Sequence, residues 1–181
     1  AVCARLTTQR IVAALNRRLD PVKGMTQLLN AVVDKQLSKV QQLLDQGAAV
    51  NQGSTNDGTT PLLAAACNGH VEASKQLIGG GAAVNQARTD TGGGTPLYSA
   101  AGEGHTEVVS LLIGGGASVN QARMDFGATP LYIAAGKGHT EVVRLLIYSG
   151  AAVNLAMAAS GATSLYAAAL KSHAEVVSLL I

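Results

Sequence analysis

Apolar residues in this chain come in short paired bursts, each pair separated from the next by a polar, glycine-bearing stretch. The first burst of a pair begins Thr-Pro-Leu and runs through Ala-Ala; the second reads Glu107-Val108-Val109-Ser110-Leu111-Leu112-Ile113 in one copy. That spacing predicts two short helices per unit. The opening phrase returns as Thr60-Pro61-Leu62-Leu63, Thr95-Pro96-Leu97-Tyr98, Thr129-Pro130-Leu131-Tyr132 and Thr163-Ser164-Leu165-Tyr166, at steps of 35, 34 and 34 residues. A fainter copy starts at Thr26-Gln27-Leu28-Leu29. A period near 34 with a helix pair per unit predicts an all-α repeat solenoid over residues 25–181, about five repeats with the last incomplete.

Each unit carries its own start and stop signals. The threonine hydroxyl can cap the first helix, and the proline beside it takes the first helical position, where a missing N–H costs nothing. Gly69, Gly104 and Gly138 are placed to close the first helix, and Gly47, Gly81, Gly116 and Gly150 to close the second. Residues 1–24 lie outside this register. Leu6, Ile11, Leu15 and Leu19 predict an amphipathic helix that Asp20-Pro21 ends, covering the open face of the first repeat. Its arginines also fit an organelle transit peptide, the weaker reading.

The string Gly-x-Thr-Pro-Leu-x-x-Ala-Ala-x-x-Gly-His-x-Glu-Val-Val-x-Leu-Leu-Ile-x-x-Gly-Ala-x-Val-Asn closely resembles the ankyrin repeat, from Met25 to Ile181. The resemblance implies antiparallel helix pairs stacked side by side, short β-hairpin fingers between repeats, and a protein-binding scaffold. There are departures. Tyr98, Tyr132 and Tyr166 stand where the family usually has histidine, and Ala49, Ala83, Ser118 and Ala152 replace the usual acid of Gly-Ala-Asp-Val-Asn. The finger is one residue longer than the commonest form, and the one after Asn85 is longer again.

Composition narrows the function. Hydrophobic residues make up 48% of the chain but aromatics only 3%, which suits thin layers of small side chains rather than one large core. Net charge is +2, yet five cations against Asp20 in residues 1–24 leave the repeat body at −2. Nucleic-acid binding is therefore not expected, and could rest only on Arg5 to Arg18. Cys3 and Cys67 cannot staple a fold, and an intracellular, cytoplasmic setting is the expectation. No membrane span is expected.

Some patterns invite chemistry. His70, His105, His139 and His173 recur once per repeat, but ligands roughly 10 Å apart cannot share a zinc bound at about 2 Å. His-x-Glu occurs without the Pro-Cys-x-x-Cys of a zinc deaminase. The expected role of each histidine is to open the second helix and hydrogen-bond locally. The glycine runs at 79–81, 92–94 and 114–116 lack the Lys-Ser/Thr of a P-loop, and Cys67 has no activating neighbour in sequence. No enzyme activity, metal or cofactor is expected.

In a solenoid, faithfully repeated residues pack, and residues that vary at equivalent positions are free to recognise a partner. Two variable sets stand out, and the resemblance puts both on the concave side. The finger set holds Arg88, Asp90, Arg123, Met124, Asp125, Phe126 and Met157; the end of the first helix holds Glu103 and Lys137. Arginine and aromatic anchors dominate binding hot spots, although these apolar residues could equally pack against a neighbouring finger. The tyrosine row reads as a stacked ladder with satisfied hydroxyls rather than a contact surface. The expected function is thus a non-catalytic scaffold for a protein or peptide. The alternatives are a regulatory or targeting segment of a larger, enzymatic protein, and a structural or engineered array without a dedicated partner. Val176, Val177, Leu180 and Ile181 have no later repeat to cover them, which predicts truncation of a longer array or self-association through that end.

Overall fold

The computed structural model describes residues 25–89 and 92–181, so the expected helix over residues 1–24 and the candidate Asp90 lie outside the described residues. Ten helices follow in order among those residues: α1 (Gln27–Val33), α2 (Leu37–Asp45), α3 (Pro61–Cys67), α4 (Val71–Gly79), α5 (Pro96–Glu103), α6 (Thr106–Gly114), α7 (Pro130–Lys137), α8 (Thr140–Tyr148), α9 (Ser164–Leu170) and α10 (Ala174–Leu180). Each odd helix packs on the odd helix before it and each even helix on the even one before it, which gives two parallel layers.

The start signals act as the sequence predicts. Thr26, Thr60, Thr95, Thr129 and Thr163 each adopt extended backbone and accept a hydrogen bond at Oγ1 from the N–H three residues on, at 3.1–3.3 Å. Such a cap contributes about 1 kcal/mol. The faint first copy at Thr26 is therefore a true repeat. Left-handed glycines close the helices, with φ of +76° at both Gly104 and Gly138.

Small side chains let the first-helix layer pack closely. Ala65, Ala66, Ala100, Ala101, Ala134, Ala135 and Ala168 are fully buried, between the leucines Leu62, Leu97 and Leu131. In the second-helix layer Leu77, Leu112 and Leu146 fill the equivalent inward position, with no exposure. Each contributes about 1.5–3 kcal/mol by burial. No strand forms among the described residues beyond an isolated bridge at Met25. The first, third and fourth fingers are instead closed by a backbone pair. Arg123 N–H donates to Ala128 O at 2.9 Å and Gly127 N–H to Arg123 O at 3.1 Å; Met157 with Ala162 and Gly161 repeats the pattern.

The histidines correct one expectation. Each sits before a second helix, but its ring does not bond locally or cap that helix. His105, His139 and His173 donate from Nε2 to Cys67 O, Gly102 O and Gly136 O, 37 or 38 residues back, at 3.0–3.2 Å. They satisfy carbonyls left without partners at the end of the preceding repeat's first helix. A Cβ at Gly69, Gly104 or Gly138 would meet the following ring at 2.6–2.7 Å, so these glycines serve the turn and the ring together. Lys35 holds the equivalent place one repeat earlier, and there His70 donates from Nδ1 to Val32 O instead. Burial, with the charge of Lys35, holds the His70 pKa below its ordinary value despite the bond to Val32.

Candidate functional site

The fingers and the ends of the first helices carry every described candidate residue, and neighbouring repeats bring several of them together. In the first finger Asp57 accepts from Ser54 Oγ at 2.5 Å, from Thr59 N–H at 2.9 Å and from Thr59 Oγ1 at 2.7 Å. Arg88 of the second finger completes this shell, its Nη2 donating to Asp57 Oδ2 at 2.7 Å. Burial alone would raise the Asp57 pKa, but the hydrogen bonds from Ser54 and Thr59 and the charge of Arg88 outweigh it and hold the carboxyl at about 2. Thr89 N–H also donates to Asp57 O at 3.1 Å, so side chain and backbone tie the two fingers.

The third finger is arranged differently. Arg123 forms a forked pair with Asp125, two residues on, at 3.1 and 2.6 Å. The Asp125 carboxylate is the main reason the Arg123 pKa rises, and in turn the arginine holds Asp125 below the usual carboxylate range. The guanidinium lies over the Tyr98 ring of α5, 5.3 Å from its centroid, which fixes this finger on the first-helix layer. A Cβ at Gly92 would collide with the Arg123 Nη2, so the guanidinium would have to move for a larger residue to stand there.

Met124 and Phe126 flank that pair and point outward, 87% and 55% exposed. Met124 runs along Gly93 of the preceding finger, while the Phe126 carbonyl accepts from Ala159 N–H of the following one at 3.4 Å. Met157 is half-buried. On the first helices, Lys137 donates to Glu103 at 3.0 Å, so these two candidates form one exposed pair across α5 and α7. The tyrosines do not form a buried ladder: Tyr98 and Tyr132 are half-buried and Tyr166 is 56% exposed.

Sequence reasoning missed the partner of Arg88 and a set of asparagines. Asn51, Asn85 and Asn120 each accept at Oδ1 from the N–H of Ala83, Ser118 and Ala152 in the next repeat, at 2.7–2.8 Å. Asn85 and Asn120 also donate to Gly116 O and Gly150 O at 3.2 Å. Their recurrence once per repeat after valine was the available signal. Among the described residues no group of three or more His, Cys, Asp or Glu is placed to hold a metal, and no helix is long and apolar enough to cross a membrane.

Comparison with curated individual proteins gives no match. A family profile described as "Ankyrin repeats (3 copies)" matches residues 28–123 and again 116–181. Threonine-capped helix pairs, two helical layers and cross-repeat histidine and asparagine bonds thus coincide with the matched region, and the chain belongs to the ankyrin-repeat family.

Proposed function

We propose that this chain is a non-catalytic scaffold that binds a protein or peptide through its finger tips and the neighbouring ends of its first helices. Ankyrin repeats are generally protein–protein interaction modules and typically non-catalytic. The observation that carries the reading is the third finger. Its charged residues are satisfied by each other and by Tyr98, while Met124 and Phe126 stand in solvent with 87% and 55% exposure. Large apolar side chains held outward on a braced tip cost little ordering entropy on binding. Glu103 and Lys137, with Arg88 and Met157, would form the polar and apolar surroundings of that contact.

Selection of binders from a displayed fragment library of the source proteome tests this reading. A selected partner is expected to lose at least about tenfold in affinity against M124A/F126A, as central apolar anchors do. Binders that hold M124A/F126A, R88A, K137A and M157A as tightly as the parent chain would overturn it.

A further inference from the structure

Two successive clefts between first helices are filled differently. Between α5 and α7 the cleft lies over Gly102, and Ile133 closes it: a Cβ at Gly102 would meet Ile133 Cγ1 at 3.0 Å. Between α7 and α9 the equivalent residues are Gly136 and Ala167, and a Cβ at Gly136 would meet only the Ala167 Cβ, at 3.5 Å. The side chain that plugs the first cleft is thus cut back to a methyl group in the second. The polar row beside the clefts differs in the same way. Glu103 at the first cleft accepts from Lys137 Nζ at 3.0 Å. Lys171 is next in that row, and the place before it holds Lys137, a cation and not an acid. Among the described residues no carboxylate pairs with the exposed Lys171.

An open groove of about 270 Å³ remains at Gly136, lined by Tyr132, Ile133, Ala167 and Leu170 together with Lys137 and Lys171. Leu170 is 65% exposed and stands where the two preceding repeats have Gly102 and Gly136, so this apolar wall is an addition of the fourth Thr-capped repeat in the Thr60 series. The groove therefore lacks two things that the chain supplies one repeat earlier: an aliphatic plug, and a carboxylate beside the lysine.

We propose that this groove docks a segment of a protein partner that carries a large aliphatic side chain beside a glutamate or aspartate. The aliphatic group lies over Gly136 as Ile133 lies over Gly102, and the carboxylate meets Lys171 as Glu103 meets Lys137. Burial of the aliphatic group supplies affinity, and the ion pair decides which segments fit. The assignment rests on the first-helix ends meeting a protein partner, the function proposed for the chain, and adds what that partner must carry.

The test is selection of a random dodecapeptide library on the parent chain, followed by fluorescence anisotropy with each enriched peptide. Enriched peptides are expected to pair Glu or Asp with a neighbouring Leu, Ile or Met. Replacing that acid by its amide, or the aliphatic residue by serine, should weaken binding about tenfold. Ala167→Ile should abolish binding with an unchanged or higher melting temperature, because the new side chain fills the groove from within. Lys171→Glu changes only an exposed side chain and should weaken binding at least about tenfold. M124A/F126A should leave the affinity unchanged. Enriched peptides without the acid and aliphatic pair, no enriched peptide at all, or unchanged affinity in A167I or in K171E would overturn the proposal. Peptides lost by M124A/F126A but held by A167I and K171E would overturn it too, while leaving the finger contact standing. A parent chain that dimerises, with A167I monomeric, would assign the groove to a second copy and also overturn it.

Discussion

The second and third fingers place an arginine at the same position, Arg88 and Arg123, and use it in opposite ways. Arg88 reaches back 31 residues to Asp57 and joins two repeats; Arg123 closes on Asp125 inside its own finger and rests on Tyr98. Each arginine is followed two residues on by an aspartate, Asp90 or Asp125. What differs is the finger before it, which offers Arg88 the carboxylate of Asp57, six residues after Asn51, and has Thr91 at that place, six after Asn85, ahead of Arg123. The first two fingers are thus tied by an ion pair between repeats, whereas the third keeps its ion pair within its own tip and leaves Met124 and Phe126 largely outside. Equivalent residues in a repeat can make a bond between repeats in one unit and a bond within the finger in the next.

The largest test of that contrast is Asp57→Ala. It removes the acceptor shared by Ser54, Thr59 and Arg88, and should cost about 2–3 kcal/mol in urea unfolding. A loss below about 0.5 kcal/mol would end the claim that this finger pair is a brace.

The same carboxylate gives a pH signature. Its folded pKa of about 2 lies below the ordinary 3.8. The stabilisation is therefore fully present above about pH 4 and is lost as pH falls through about 2, because the unfolded chain takes up the proton first. With a side chain 32% exposed, solvent screening leaves this contribution on the order of 1–2 kcal/mol. Denaturant titrations from pH 5 to about 2 should show that decline in the parent chain and a flatter profile in D57N.

A smaller effect is expected from Arg123→Ala, which removes the contact with Tyr98 and should cost about 1 kcal/mol by thermal unfolding. The smallest is M124A/F126A, which should change stability by less than about 0.5 kcal/mol, since both side chains are largely in solvent. A larger loss would mean that these residues pack against neighbouring fingers and are not free for a partner.

Much of the fold was legible because it depends on neighbours in sequence. Thr95 caps a bond three residues away, Pro96 pre-sets one dihedral, and Gly104 turns the chain at its own position. The candidate site was only half legible. Variation among repeats pointed to Arg123, Asp125, Met124 and Phe126, and the structure does gather Arg123 with Asp125. Asp57 carried no such signal, because its partner belongs to the next repeat. The histidines show the same limit: their once-per-repeat recurrence marked them as structural, yet their acceptors lie 37 or 38 residues back.

By itself the sequence determined the period, the two helices per unit, their caps and the alternation of small and branched apolar residues, since each depends on local dihedral preference and helical spacing. Only the tertiary structure decided which polar groups meet. Stacking sets one finger beside the next, so Arg88 meets Asp57 of the finger before it. Arg123, with Thr91 at that place, closes on Asp125 and rests on Tyr98, leaving Phe126 55% exposed.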